Sequence, residues 1–100
     1  MVEVRETERF VRWLAGLRDL RARAKVLAGI ERLIGGNPGD AKPIGAGVSE
    51  LRINYGPGYR VYYLQRGTKL IILLAGGDKS SQAKDIDDAL LLAANLTEEI

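Results

Sequence analysis

One hundred residues, 46% hydrophobic and 28% charged, describe an ordinary single globular domain over residues 1–100 and exclude a disordered chain. Cysteine and histidine are both absent, which excludes disulfides, thiolate metal sites and imidazole catalysis, so no metal and no cofactor is expected. The net charge of +2 hides an asymmetry: residues 1–84 hold all 15 Lys and Arg against eight acids, a net of +7, while the remaining five acids follow from Asp85 onward. A body of that sign fits a phosphate-rich or acidic partner, and equally a solvated surface with an acidic tail.

In chain order, VEVRET at 2–7 alternates Val2 and Val4 with charged residues and predicts a short strand. Thr7 is placed to cap a helix beginning at Glu8, in which Phe10, Trp13, Leu14 and Leu17 form one apolar stripe. Asp19 caps a second helix that runs through Val26, Leu27, Ile30, Leu33 and Ile34 and stops at Gly35-Gly36. The outer faces of this helical hairpin carry Arg9, Arg12, Arg18, Arg21, Arg23, Lys25 and Arg32 and read as solvated. Residues 37–47 read as an irregular, turn-rich loop. VSELRIN, GYRVYYLQ and KLIILLAG are three strands joined by turns at Gly56-Pro57-Gly58 and Arg66-Gly67-Thr68. The third is apolar on both faces, which places it inside the sheet. Its run LIILLAGG at 70–77 is the longest apolar stretch and is too short to span a bilayer; with no signal peptide visible, the expected location is the cytoplasm.

A last helix over SSQAKDIDDALLLAANL is capped by Ser80 or Ser81 and presents Ile86, Leu90 and Ala93 on one face. Leu91 and Leu92 fall outside that stripe, as a contact surface or as side chains wrapped under the sheet edge. The predicted order is β-α-α-β-β-β-α, an α+β domain. Its largely antiparallel four-stranded sheet has the helices on one face, a helical hairpin and the C-terminal helix.

Strand alternation sorts the middle of the chain into two faces. Tyr59, Val61 and Tyr63 share the core face with Leu51 and Ile53, while Glu50, Arg52, Asn54, Arg60 and Tyr62 share the other, predicted to be open. GGDKSS brings Asp78 and Lys79 to its rim at a helix N-terminus, whose N–H groups favour an anion. Arg60 then either forms a cross-strand ion pair with Glu50 or holds a phosphate.

The element order, the SELRINYGPGYRVYY hairpin and the LLAGGDKSSQAKDI junction resemble the RelE/ParE superfamily of bacterial toxins, closest to its HigB-like addiction-module killer proteins. The resemblance covers Val2 to about Ala94. It implies the toxin of a type II toxin–antitoxin system, an mRNA interferase that inhibits translation and arrests growth by cutting messages in the ribosomal A site. Another branch of the superfamily poisons DNA gyrase, and a third reading is a catalytically weak paralogue acting through its antitoxin and operator. The implied partners are a cognate antitoxin, mRNA on the ribosome with rRNA contacts, and operator DNA reached through the antitoxin. By its position in the motif, Arg60 would stabilise the scissile phosphate, with Arg52 and Lys79 as the further basic residues and Glu50 beside Arg52. Relatives often carry Tyr or His in or before the final helix; here that stretch holds Gln82, Lys84 and Asp85.

Metal-independent RNA cleavage proceeds by attack of a 2′-OH on the adjacent phosphate. Arg60 and Arg52 suit the charge that develops there. Glu50 is a candidate base or an orienting partner of Arg52, Lys79 a candidate proton donor, and Tyr62 or Tyr55 a platform for a base. Gln82 and Lys84 complete the candidate substrate-binding set.

Overall fold

The computed structural model describes residues 2–96; Glu98 and Glu99 of the acidic tail lie outside them. The elements are β1 (Glu3–Glu6), α1 (Glu8–Ala15), α2 (Leu20–Ile34), β2 (Ala41–Gly45), β3 (Val48–Ile53), β4 (Tyr59–Arg66), β5 (Leu70–Gly77) and α3 (Gln82–Leu96), with a 3-10 turn at Lys79–Ser81 leading into α3. The sheet order is β1-β5-β4-β3-β2; β1 runs parallel to β5 and the other neighbours are antiparallel.

Local chemistry sets the helix starts. Thr7 Oγ1 accepts from Phe10 N at 3.0 Å and donates to the Leu74 carbonyl at 2.6 Å, so one hydroxyl caps α1 and ties it to β5. Asp19 accepts from the backbone of Arg21 and Ala22 and starts α2.

Two expectations are corrected. The sheet has five strands, because Ala41–Gly45 pairs with β3 inside the segment expected to be irregular. AKPIG carries no hydrophobic alternation, and Pro43 with a bulge before Gly45 disguises it further. Pro is tolerated there because β2 is an edge strand, where a missing N–H leaves no neighbour unpaired. The second correction concerns layers, for the helices do not share one face. α1 and α2 cover one side, where Phe10, Val26, Ile30 and Leu33 pack on Leu51, Ile53, Val61 and Tyr63. α3 covers the other, where Ala89 and Ala93 pack on Val48, Tyr62, Leu64, Ile72 and Leu74. β5 is apolar in both directions, and Val48 of β3 with Tyr62 and Leu64 of β4 extends that second apolar face, so both faces of the sheet centre are buried. Of the two leucines outside the α3 stripe, Leu92 packs against this second core and Leu91 stays 63% exposed. No helix among the described residues is long and apolar enough to cross a membrane.

A bulge in β5 sets the end of the sheet next to the charged residues of the β3–β4 hairpin. Tyr62 is opposite Ala75 and Tyr63 opposite Leu73, which leaves Leu74 as the extra residue. Leu74 and Ala75 then both face α3, Gly76 turns to α1, and Gly77 turns to the start of α3. Space dictates both glycines: a Cβ at Gly76 would fall inside the Trp13 ring, and one at Gly77 inside the Asp85 carboxylate. Trp13 packs over Gly76 with its ring tilted against Phe10 at 5.8 Å and edge-on to Tyr59 at 6.3 Å. Gly76→Ala is therefore expected to cost about 1–3 kcal/mol by overpacking. In a Trp13→Leu background the same substitution should cost clearly less, as read from urea unfolding midpoints of the four proteins.

Candidate functional site

The β3–β4 hairpin places two pairs of polar residues in succession on the α3 side. Glu50 is opposite Tyr62, and Arg52 is opposite Arg60. Two guanidiniums in direct cross-strand register repel, and the neighbouring carboxylate offsets that repulsion. Glu50 Oε1 accepts from Arg52 Nε at 3.2 Å, and Oε2 accepts from Tyr62 Oη at 3.1 Å and from Gln82 Nε2 at 2.9 Å. Arg60 Nε stands 3.6 Å from Oε2; it is buried without a hydrogen bond, so the charge of Glu50 is what compensates it. Arg60 is anchored at its other end by donating from Nη1 to the Gly58 carbonyl at 2.8 Å.

Glu50 is fully buried, Arg60 is 12% exposed and Arg52 is 37% exposed. Burial opposes ionisation of Glu50 and is the largest single influence on it. The hydrogen bonds from Gln82, Arg52 and Tyr62 and the charge of Arg60 together outweigh it, and hold the carboxyl below its ordinary value. Tyr62 is pushed the other way, first by burial and then by the Glu50 charge and hydrogen bond, so its hydroxyl stays protonated as a donor.

The open surface expected on this face is therefore largely closed by α3. Tyr62 is fully buried, and its ring has no face to offer a base. Glu50, with no exposed surface, is out of reach of a substrate hydroxyl. The N-terminus of the last helix is also occupied: Asp78 accepts from Ser80 N at 2.8 Å and forms a capping box with Ser81. The chain's own Asp78 carboxylate thus takes the N–H groups that the sequence offered to an anion. Hydrogen bonds from Ser80, foremost, hold the Asp78 carboxyl below its usual range. Asp85 is buried as well, accepting from Ser81 Oγ and from Arg9 Nη2 at 3.3 Å.

What remains open lies at the tip of the hairpin. A chamber of about 180 Å³ is lined by Arg52, Arg60, Gly58, Tyr59, Asn54 and Asp40, with Ile53 as floor. It exists because β2 begins only at Ala41, opposite Leu51; beyond Arg52 N, which donates to Asp40 O at 2.8 Å, the end of β3 has no strand neighbour on its β2 side. Lys79 stands beside it: its backbone N donates to Pro57 O at 3.3 Å, and its Cβ and Arg60 Nη1 both flank Gly58. The structure thus brings Arg52, Arg60 and Lys79 to one place, with Glu50 and Gln82 behind them. Tyr55 is elsewhere, donating to Asp19 Oδ2 at 3.3 Å and packing against the α1–α2 core. Lys84 is exposed on the first turn of α3 and lines no part of the chamber. Among the described residues no group of three or more carboxylates is placed to hold a metal ion. Asp40 and Tyr59 are wall residues the sequence did not single out, since Asp40 reads as a turn residue and Tyr59 by alternation as core; Asn54 falls by alternation on the face with Arg52 and Arg60. Only the missing strand neighbour exposes them together.

Removing the Glu50 charge should leave the arginine pair uncompensated, so Glu50→Gln is expected to cost on the order of 3–5 kcal/mol at pH 7. The folded carboxyl lies below its ordinary value of 4.5, so its contribution is full above that pH and is lost as pH falls through the folded value. The stability gap between wild type and Glu50→Gln should shrink over that acid range, measured by urea titration between pH 7 and pH 3.

Comparison with known proteins adds two matches. A 95-residue alignment relates the chain to an uncharacterized protein of Haemophilus influenzae at 50% identity, covering 95% of this chain and 96% of the relative. The family model "Phage derived protein Gp49-like (DUF891)" matches residues 12–96, from α1 through the end of α3, and so takes in the whole hairpin and its chamber. The chain belongs to this phage-derived Gp49-like family, a family of the toxin–antitoxin type.

Proposed function

We propose that this protein is the toxin of a toxin–antitoxin pair and acts as an endoribonuclease on messenger RNA at the ribosome. The observation that carries the reading is the pair Arg52 and Arg60, in register on adjacent strands, lining one small chamber with a buried carboxylate holding both from behind. A structural ion pair needs one arginine. Two, fixed side by side at an opening, form a site for a group with several anionic oxygens.

In this reading the scissile phosphate sits between the two guanidiniums. The neighbouring 2′ oxygen attacks phosphorus, the bond to the 5′ oxygen breaks, and a cyclic phosphate is left on the upstream fragment. Arg52 and Arg60 stabilise the added negative charge of the transition state, and they are oriented before substrate arrives because Glu50 and the Gly58 carbonyl hold them. Lys79, at the rim, supplies the proton to the leaving oxygen. Asp40, the carboxylate lining the chamber, receives the proton of the attacking hydroxyl. Glu50, Tyr62 and Gln82 act as positioning residues. A carboxylate is a weak base at neutral pH, so most of the acceleration falls to the preorganised charge. The antitoxin is the expected protein partner, with operator DNA reached through it.

Arg60→Ala is expected to fold and to abolish growth arrest and in-frame message cuts when expressed without antitoxin. Arg60→Lys should retain only a small part of the activity, because an ammonium cannot match two phosphate oxygens at once. Arrest by folded Arg60→Ala with intact messages would discard the nuclease reading and direct attention to gyrase. Asp40→Asn should lower the cleavage rate by about 10²–10⁴-fold in single-turnover assays while RNA binding is retained.

A further inference from the structure

We infer that the RNA-binding groove continues from the hairpin chamber onto α2, where Lys25 and Arg32 form a second subsite for a flanking phosphate of the same strand. The inference rests on the phosphate reading of the Arg52–Arg60 chamber and extends it.

A second cavity of about 350 Å³ lies alongside the first, lined by Lys25, Ala28 and Arg32 of α2 on one side and by Asp40, Arg52 and Asn54 on the other. The two cavities share Asp40, Arg52, Ile53 and Asn54, so they form one groove with a common wall. Lys25 and Arg32 are seven residues apart, two turns or about 10.5 Å along the axis, and so project from the same side of the helix. Ala28 lies between them, and its single methyl leaves the space open. Neither the Lys25 nor the Arg32 side chain has an ion-pair or hydrogen-bond partner among the described residues, in contrast to those of Arg9, Arg12 and Arg23, which are engaged by carboxylates or carbonyls.

Charge follows the same path. The hairpin chamber sets Arg52 and Arg60 against Asp40, and the helix cavity sets Lys25, Arg32 and Arg52 against the same carboxylate, so both halves are net positive. Arg52 stands at the junction, its Nε fixed by Glu50 and part of its side chain exposed. Asn54 and Asp40 on the shared wall offer donors and acceptors to base edges, which single-stranded RNA leaves unpaired. A groove of this polarity, floored by Ile53 and continuous with a phosphate-sized chamber, suits an extended nucleotide strand.

The test uses 2′-O-methyl oligoribonucleotides, which carry the phosphates but lack the attacking hydroxyl. A dimer with one internal phosphate and a pentamer are titrated into the full-length protein and followed by amide chemical shifts and by affinity at several salt concentrations. The Lys25→Ala/Arg32→Ala variant should bind the dimer as wild type does. It should bind the pentamer more weakly, with the slope of log K against log salt smaller by about 0.7, the value for one lost phosphate contact on a single strand. Unchanged pentamer affinity and slope would overturn the inference, as would equal loss for both lengths. Arg60→Ala separates this from the underlying reading. If it weakens dimer and pentamer alike, the phosphate chamber stands whatever the helix variant does; if it weakens neither, the chamber reading falls and the extension with it.

Discussion

The arrangement turns on one carboxylate without access to water. Glu50 sits on a strand whose next outward residue is Arg52, opposite a strand that presents Arg60 at the same level. Side by side, two arginines would push the hairpin end apart; with a buried negative charge two residues away they become a stable, oriented pair. The buried charge is itself unfavourable unless its oxygens are satisfied. Four groups from three elements do this: Arg52 from β3, Arg60 and Tyr62 from β4, and Gln82 from α3. The hairpin and the last helix are therefore joined through the same atom set that orients the arginines.

The remainder of the fold makes room for that cluster. The bulge at Leu74 gives α3 two consecutive residues to pack on and turns Gly76 and Gly77 to opposite sides. Gly76 lets Trp13 lie on the sheet and support Tyr59, which lines the chamber; Gly77 lets Asp85 approach the strand opposite Arg60. Arg9 of α1 then reaches Asp85 and Asp88 of α3, beyond the point where β1 stops opposite Leu73. Helices on opposite faces are thereby linked around the end of the sheet nearest the chamber. That end is paired as far as Arg60 and Gly77 on its β4–β5 side and open on its β3 side, where no strand extends past Asp40.

A chain without histidine has few ways to move protons, and the geometry is consistent with chemistry carried by fixed positive charge. Glu50, a candidate base from the sequence, is sealed and held ionised, and Tyr62, a candidate stacking platform, is sealed and held protonated. Asp40 and Lys79, by contrast, are exposed at the opening. At the start of the last helix, Gln82 bonds the carboxylate that orients the arginines.

The amino-acid sequence alone determined the elements whose causes are local. Thr7 and Asp19 mark helix starts by their capping oxygens, Gly35 marks a stop, and period-two alternation sorts Glu50, Arg52, Arg60 and Tyr62 onto one face of one hairpin. It also determined the positive body charge and the absence of imidazole chemistry. Only the tertiary structure decided which of those residues meet solvent, because exposure depends on what packs above a strand and not on the strand itself. α3 covers Glu50 and Tyr62 and stops short of Arg52. β2, an edge strand without alternation and broken by Pro43, was hidden for the same reason: its pairing is dictated by the free edge of β3 and not by its own side chains. Its late start at Ala41 is what opens the chamber, and so brings Asp40 and Asn54 beside two arginines, and α2 beside them both.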